Sequence, residues 1–331
     1  TDPTQTAEHA GQLYDAVHAK LLPLGDQAIV LPAHGAGSVC GGNIAERDDS
    51  TLGLERHYNP VFVKSRAAFL QAKLDERIPR PPYFRHMERV NSSGGMGALK
   101  SASAVHVLQP KQFQSECRRG VVFDLRKPEA FAGGHVPGSY SIWSEGLPVF
   151  AGWVAGAGTP IFLVVDDAEK SLEDVVKALG RVGLDNIEGV LAGSFEGWRD
   201  QALPMAGVGT IEASVIGQTA KPHDFQLIDV RDDNEFESKG HVPGASHLYV
   251  GYLEHELGRL RPEFNAKHTH VVACSVGHRA SLAASILLRL GARDVRNMLG
   301  GMDAWEKLEL AREFGPSDYS VTTTDVEGPR K

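Results

Sequence analysis

Cysteine is scarce: three in 331 residues, Cys40, Cys117 and Cys274. An odd, widely spaced set argues against a disulfide framework and provides no pair at metal-ligand spacing, so a reducing, cytoplasmic setting is expected. Aromatic residues are few at 7%, and none interleave with a basic run. Acidic side chains (42) outnumber basic ones (34), giving a formal net charge of −8. That balance speaks against a nucleic-acid partner. Apolar runs are strand-sized, such as Ile161 to Val165, so no membrane span is expected. No secretory signal pattern opens the sequence. The remaining composition, 42% hydrophobic and 23% charged, is that of a globular chain of two or three domains.

The chemistry concentrates in His270-Val-Val-Ala-Cys-Ser-Val-Gly-His-Arg-Ala-Ser281. An apolar run ending at Ala273 delivers Cys274 to a short loop, and a helical pattern, Leu282 to Leu290, follows. Such a thiol faces the free N–H groups of a helix N-terminus, a setting that favours thiolate and gathers anions. Gly277 allows a sharp bend. Arg279, five positions after Cys274, brings a permanent positive charge.

The chain also repeats itself after about 108 residues. Val121-Val-Phe-Asp-Leu-Arg126 echoes Leu227-Ile-Asp-Val-Arg231, and Gly134-His-Val-Pro-Gly138 echoes Gly240-His-Val-Pro-Gly244. Ala192-Gly-Ser-Phe-Glu-Gly-Trp198 echoes Gly300-Gly-Met-Asp-Ala-Trp305. Cys274 precedes Gly291 by 17 positions, and Asp166 precedes Gly183 by the same 17. That count puts Asp166 where the second copy has Cys274, and Ser171 where it has Arg279. Short apolar strands alternate with helical stretches, Ser171 to Arg181 and Ala280 to Leu290 among them. The pattern predicts α/β units on mainly parallel sheets, with ligands at the C-terminal ends of strands.

Four motifs in this order, Asp229-Val-Arg231 with Glu235, Gly240-His-Val-Pro-Gly244, the Cys274 loop and Gly300-Gly301 through Trp305, resemble a rhodanese (sulfurtransferase) domain. The resemblance implies that Cys274 carries sulfane sulfur as a persulfide. Ser275, Val276, Gly277, His278 and Arg279 would cradle the outer sulfur. Asp229, Arg231 and Glu235 would hold the loop through salt bridges and hydrogen bonds. His278 would touch substrate or point to water. Rhodanese-related phosphatases resemble this fold but place five residues in the loop. The four between Cys274 and Arg279 suit one sulfur atom better than a phosphate or arsenate. The first copy, with Asp166 and Ser171, reads as a catalytically silent rhodanese that serves packing, between neighbours or in a homodimer. Cys117, placed ahead of its first strand, is expected to be structural.

Near the start, Ile29-Val-Leu-Pro-Ala-His-Gly-Ala-Gly-Ser-Val-Cys-Gly41 is followed by Ser50-Thr-Leu-Gly-Leu-Glu-Arg56, then Asn59-Pro60. These segments resemble the end of a metallo-β-lactamase (αββα) domain of the persulfide dioxygenase and glyoxalase II branch. Pro81-Pro-Tyr-Phe-Arg-His-Met-Glu-Arg-Val-Asn91 resembles the extension that joins such domains to rhodaneses. The family's upstream histidine cluster does not occur. His34 would therefore be a metal ligand only within a longer parent, binding Fe(II) or Zn there, and no cofactor is expected in this chain. A C-terminal piece of a longer fusion is expected, with five parts. These are a lactamase-fold remnant (1–60), an extension (61–104), a silent rhodanese (105–207), an active rhodanese (208–315) and a tail (316–331). The expected activity is sulfur transfer from thiosulfate or a low-molecular-weight persulfide to a thiol such as glutathione, in sulfide and persulfide metabolism. The alternatives are a persulfide carrier or interaction module without turnover and, in an intact chain, a glyoxalase II-type hydrolase.

Overall fold

In a computed structural model that describes residues 5–33, 47–76, 79–94, 101–166, 171–219, 225–259 and 268–317, the chain divides into two units, Thr1–Pro79 and Arg80–Lys331. His34 and Cys40 lie outside the described residues.

The first unit is largely helical. It contains α1 (Thr6–Ala16), β1 (Ile29–Val30), β2 (Ser50–Thr51), α2 (Leu52–Tyr58), α3 (Pro60–Val63) and α4 (Arg66–Leu74). β1 and β2 pair antiparallel. The segment from Ser50 to Pro60 is a chain of helix caps. Thr51 accepts the Leu54 N–H at 3.2 Å, and Asn59 accepts the Val61 N–H at 3.2 Å with Pro60 in the first helical position. Glu55 accepts from the Ser50 hydroxyl at 2.6 Å and from the Asn59 amide at 2.9 Å. Those two bonds hold its carboxyl below the usual range. A small core of Ala10, Val61 and Phe69 is lined by Tyr14, Val17, Phe62 and Leu70.

The second unit opens with α5 (Tyr83–Ser93), followed by two copies of one fold. The first copy has β3 (His106–Leu108), α6 (Pro110–Glu116), β4 (Val121–Asp124), α7 (Pro128–Gly133), β5 (Tyr140–Ser141), α8 (Leu147–Val154), β6 (Ile161–Val164), α9 (Leu172–Arg181), β7 (Ile187–Leu191) and α10 (Ser194–Asp200). The second has β8 (Gly209–Glu212), α11 (Ala213–Thr219), β9 (Gln226–Asp229), α12 (Asp233–Lys239), β10 (Ser246–His247), α13 (Val250–Arg259), β11 (Thr269–Ala273), α14 (His278–Arg289), β12 (Asp294–Leu299) and α15 (Gly301–Lys307). The sheet orders β3-β7-β6-β4-β5 and β8-β12-β11-β9-β10 correspond strand for strand. The neighbouring strands pair in parallel. β6 is buried at all four positions and β11 at four of five, because helices cover both faces of such a sheet. This α/β architecture matches the expectation for both copies.

Matching braces recur. Arg126 pairs with Asp124 at 2.6 Å and donates to Gly134 O, and Arg231 pairs with Asp229 at 2.7 Å and donates to Gly240 O. His135 stacks on Phe131 at 3.7 Å, and His241 on Phe236 at 3.6 Å. The Trp198 and Trp305 indoles donate to Pro204 O and Ala311 O. The first copy closes where Val208 N–H reaches Ala132 O at 3.1 Å, and the second where Glu313 pairs with His241. Cys117 sits between β3 and β4, not ahead of the copy's first strand, because β3 lies upstream of it; it is half-buried, and burial raises its pKa. The stretch from 61 to 104 is shared: α3 and α4 belong to the first unit and α5 to the second. There Tyr83 lies so close to Gly152 that a Cβ on that glycine would sit 2.1 Å from the ring.

One core runs through both copies, joining Phe123, Tyr140, Ile142 and Trp153 to Val230, Leu253, Leu282 and Ile286. Each such side chain contributes about 1.5–3 kcal/mol on burial. No helix among the described residues is long and apolar enough to cross a membrane.

Candidate active site

Cys274 leaves the end of β11, the strand between β9 and β12. It is 1% exposed. Gly277 caps α14 with φ +114°, a conformation that L side chains rarely adopt. This turn swings the Gly277 N–H back to Cys274 Sγ at 3.1 Å. Asn297, on β12, donates to Gly277 O at 2.9 Å and fixes the turn. The helix begins at His278, ahead of both expected starts, Ala280 and Leu282, so Arg279 lies in its first turn and not in the loop.

The Gly300-Gly301 motif forms the floor beneath the loop. Met302 N–H reaches Cys274 O at 2.8 Å and Asp303 N–H reaches Ser275 O at 3.0 Å. A Cβ on Gly301 would come within 2.1 Å of Cys274 O. The carbonyls around the thiol are thereby held from two elements, β12 and α15.

A polar clamp closes the outer side. Glu235 Oε2 accepts from Arg279 at 2.5 Å, and its Oε1 accepts from Arg279 and from the Ser275 hydroxyl, both at 2.9 Å. Arg279 also donates to Ser275 Oγ at 2.7 Å. Burial works against ionisation of Glu235, but the Arg279 guanidinium outweighs it and holds the carboxyl well below the usual range. Burial and the hydrogen bond with Glu235 push neighbouring Asp232, the N-cap of α12, up to about 6. Arg279 is therefore a charge already balanced by Glu235.

Of the three supporting residues expected from the motif, Glu235 alone bonds the loop. Asp229 and Arg231 pair with each other and anchor the turn after β9 through Gly240 O. They are too deeply engaged there, at 0% and 2% exposure, to reach the loop. His278 is half-buried, and its ring tilts against Trp143 of the first copy, centroids 4.9 Å apart. Val276 stands at the rim, 45% exposed.

Strand register corrects the silent counterpart. In the second copy Asp229 pairs with Ala273, and Cys274 follows; in the first Asp124 pairs with Val164, and Val165 follows. Val165, not Asp166, therefore stands where the thiol would be. Counting back from Gly183 misses this because the first copy carries one more residue between the strand end and that glycine, 18 positions from Val165 against 17 from Cys274 to Gly291. Asp166 is exposed at the strand end. Ser171 caps α9, accepting the Asp174 N–H at 3.3 Å. Aligning Phe131 with Phe236 puts Ala130 opposite Glu235, a loss visible in the sequence. Among the described residues the first copy thus has neither a thiol nor a clamping carboxylate at the counterpart positions.

Residues 109–201 and 216–308 each match the model of the rhodanese-like domain. The chain belongs to the rhodanese-like domain family. Within the second rhodanese-like domain, the strand–loop–helix turn at Cys274 described above is the candidate site. Among curated relatives, thiosulfate sulfurtransferase GlpE of Pseudoalteromonas translucida (strain TAC 125) is 34% identical over 25% of this chain and 74% of its own length. Putative sulfur carrier protein YrkF of Bacillus subtilis (strain 168) is 32% identical over 24% of this chain, which spans 41% of that relative. Among solved structures, a metallo-beta-lactamase from Staphylococcus aureus subsp. aureus COL is similar at 29% identity and a TM-score of 0.45, over 55% of this chain and 50% of that one. The chain thus spans about half of that structure's length. Rhodanese homology to proteins named thiosulfate sulfurtransferase supports the sulfurtransferase class for this chain.

Among the described residues no group of three His, Cys, Asp or Glu side chains could hold a metal ion.

Proposed function

We propose that the second rhodanese domain transfers sulfane sulfur through a persulfide on Cys274. The observation that carries this reading is the Gly277 N–H aimed at Sγ from 3.1 Å at the N-terminus of α14. That donor and the helix dipole favour negative charge at the sulfur. The Cys274 thiolate attacks the outer sulfur of the donor. With thiosulfate the S–S bond breaks and sulfite leaves with the electron pair; with an organic persulfide RS–SH, the thiolate RS⁻ leaves. The outer sulfur, now bonded to Cys274, is then attacked by an acceptor such as cyanide, sulfite or a thiol, and the Cys274 thiolate returns. Glu235 and Arg279 keep the loop in shape for both halves of the cycle. Residues 29–41 and 81–91 extend the proposal to persulfide metabolism, with a dioxygenase partner domain in a longer parent. Iron content and oxygen uptake of the full-length source protein test that extension.

The central reading is tested by loading the chain with thiosulfate or glutathione persulfide, then adding cyanide and following thiocyanate release and intact mass. Cys274→Ser is expected to abolish both the one-sulfur mass increase and turnover, while Val165→Ala and Asp166→Ala leave them within about twofold of the parent chain. Undiminished turnover in Cys274→Ser overturns the reading. A stable adduct without turnover assigns the domain as a sulfur carrier instead.

A further inference from the structure

The surroundings of Cys274 are built by both copies. The first copy runs along α14 from one end to the other. Ser141 N–H reaches Ser285 Oγ at 3.2 Å, and the Ser141 and Ser281 hydroxyls meet at 2.7 Å. Arg289 donates to Gly138 O and lies 4.2 Å over the Tyr140 ring. At the other end, where α14 starts and its cap holds Sγ, Trp143 meets His278.

Trp143 is itself held in place. Phe150 lies against it at 5.3 Å, and Gly146 makes room: a Cβ there would come within 2.8 Å of the indole. Trp143 and His278 are both only half-buried, so the pair presents an aromatic edge one residue beyond the N–H that holds the sulfur. Val276 adds an exposed apolar side chain at the same loop.

The local charge points the same way. The guanidinium of Arg279, in the first turn of α14, is bound to the Glu235 carboxylate through two of its nitrogens. A small dianion arriving here finds a guanidinium already paired and an aromatic rim, so only the Gly277 N–H and the helix N-terminus offset the hydration it loses. A carrier with an organic body places methylene groups against the rings instead, where apolar surface leaves water on both sides.

We propose that Trp143 of the silent first copy, together with His278, forms a specificity-determining wall of the Cys274 site that favours sulfur carriers with an organic body over small inorganic anions. This rests on the Cys274 persulfide reading. It gives the silent copy a part in the chemistry: it supplies a wall that the second copy lacks.

The test is the half-reaction. Sulfur loading of the parent chain, Trp143→Ala and Trp143→Phe is followed by intact mass against donor concentration, once with glutathione persulfide and once with thiosulfate. In Trp143→Ala the concentration of glutathione persulfide giving half-maximal rate is expected to rise about tenfold, equivalent to about 1.4 kcal/mol. The limiting rate stays within about twofold, and thiosulfate loading changes less than about twofold. Trp143→Phe recovers most of the loss. Equal losses with both donors, or none with either, overturn the wall while leaving the persulfide intact. A parent chain that takes up sulfur from neither donor overturns the Cys274 reading and this inference with it.

Discussion

Replacing Glu235 by Leu tests the clamp most directly. The Arg279–Glu235 pair is 18% and 13% exposed in its side chains, with a closest approach of 2.5 Å. Removing one member of a buried ion pair costs about 3–5 kcal/mol, because the other charge stays buried without its partner. Partial exposure puts Glu235→Leu near the lower end, about 3 kcal/mol, and the Ser275 hydroxyl loses its acceptor for roughly 1 kcal/mol more. The expected loss is about 3–4 kcal/mol, read from urea denaturation at pH 7. Arg279→Leu alone should cost a similar amount, since it strands the carboxylate. The double replacement should fall within about 1 kcal/mol of the parent, because it removes both charges from the buried site. The cycle would then show a coupling of several kcal/mol. Additive losses would refute the clamp, as would a stable Glu235→Leu chain.

Asp232 brings an opposite pH dependence. Its folded pKa is raised to about 6, so its contribution is fully present below its ordinary value near 4 and is lost as pH climbs to about 6. Asp232→Asn keeps a capping oxygen and removes the titration. Its stability should stay flat from pH 4 to 6.5 where the parent declines, by about 1–2 kcal/mol after allowance for solvent screening. Parallel curves would contradict this. Glu235 has the reverse sign: its carboxyl is held low, so the clamp should persist at pH 5 and weaken only below about 4. Gly277→Ala meets no clash, its nearest contact being Leu299 at 3.4 Å, but φ +114° strains any side chain. A loss of about 1–3 kcal/mol is expected, together with slow sulfur loading as the N–H turns away from Sγ; loading at the parent rate would count against that N–H.

Much of this was legible from residues. The two Asp-x-Arg motifs, the two Gly-His-Val-Pro-Gly motifs and the tryptophan turns mark positions where backbone and side chain must meet in one way, and they recur as identical braces. Cys274 and Gly277 were legible because a thiol after an apolar run, followed by a glycine and a helical pattern, leaves few geometries. The roles within the supporting set were not. Asp229 and Arg231 carry the same charges as Glu235 and Arg279, and spacing along the chain does not say which carboxylate meets which guanidinium. Trp143 gave no signal at all, since its partner His278 lies in the other copy.

By itself the sequence determined the repeat, the parallel α/β plan and the thiol at a strand's end, because periodicity, turn residues and short motifs act locally. Tertiary structure alone decided three things. Backbone pairing between β4 and β6 placed Val165, not Asp166, opposite the thiol, since strand register is set by hydrogen bonds that tolerate no drift while a loop absorbs an extra residue. Packing of α12 on the loop gave the Arg279 charge to Glu235, across a sequence separation of 44. The shared core brought the first copy's aromatic side chain to the start of α14, because burying apolar surface between two repeats fixes neighbours that no stretch of either repeat encodes alone.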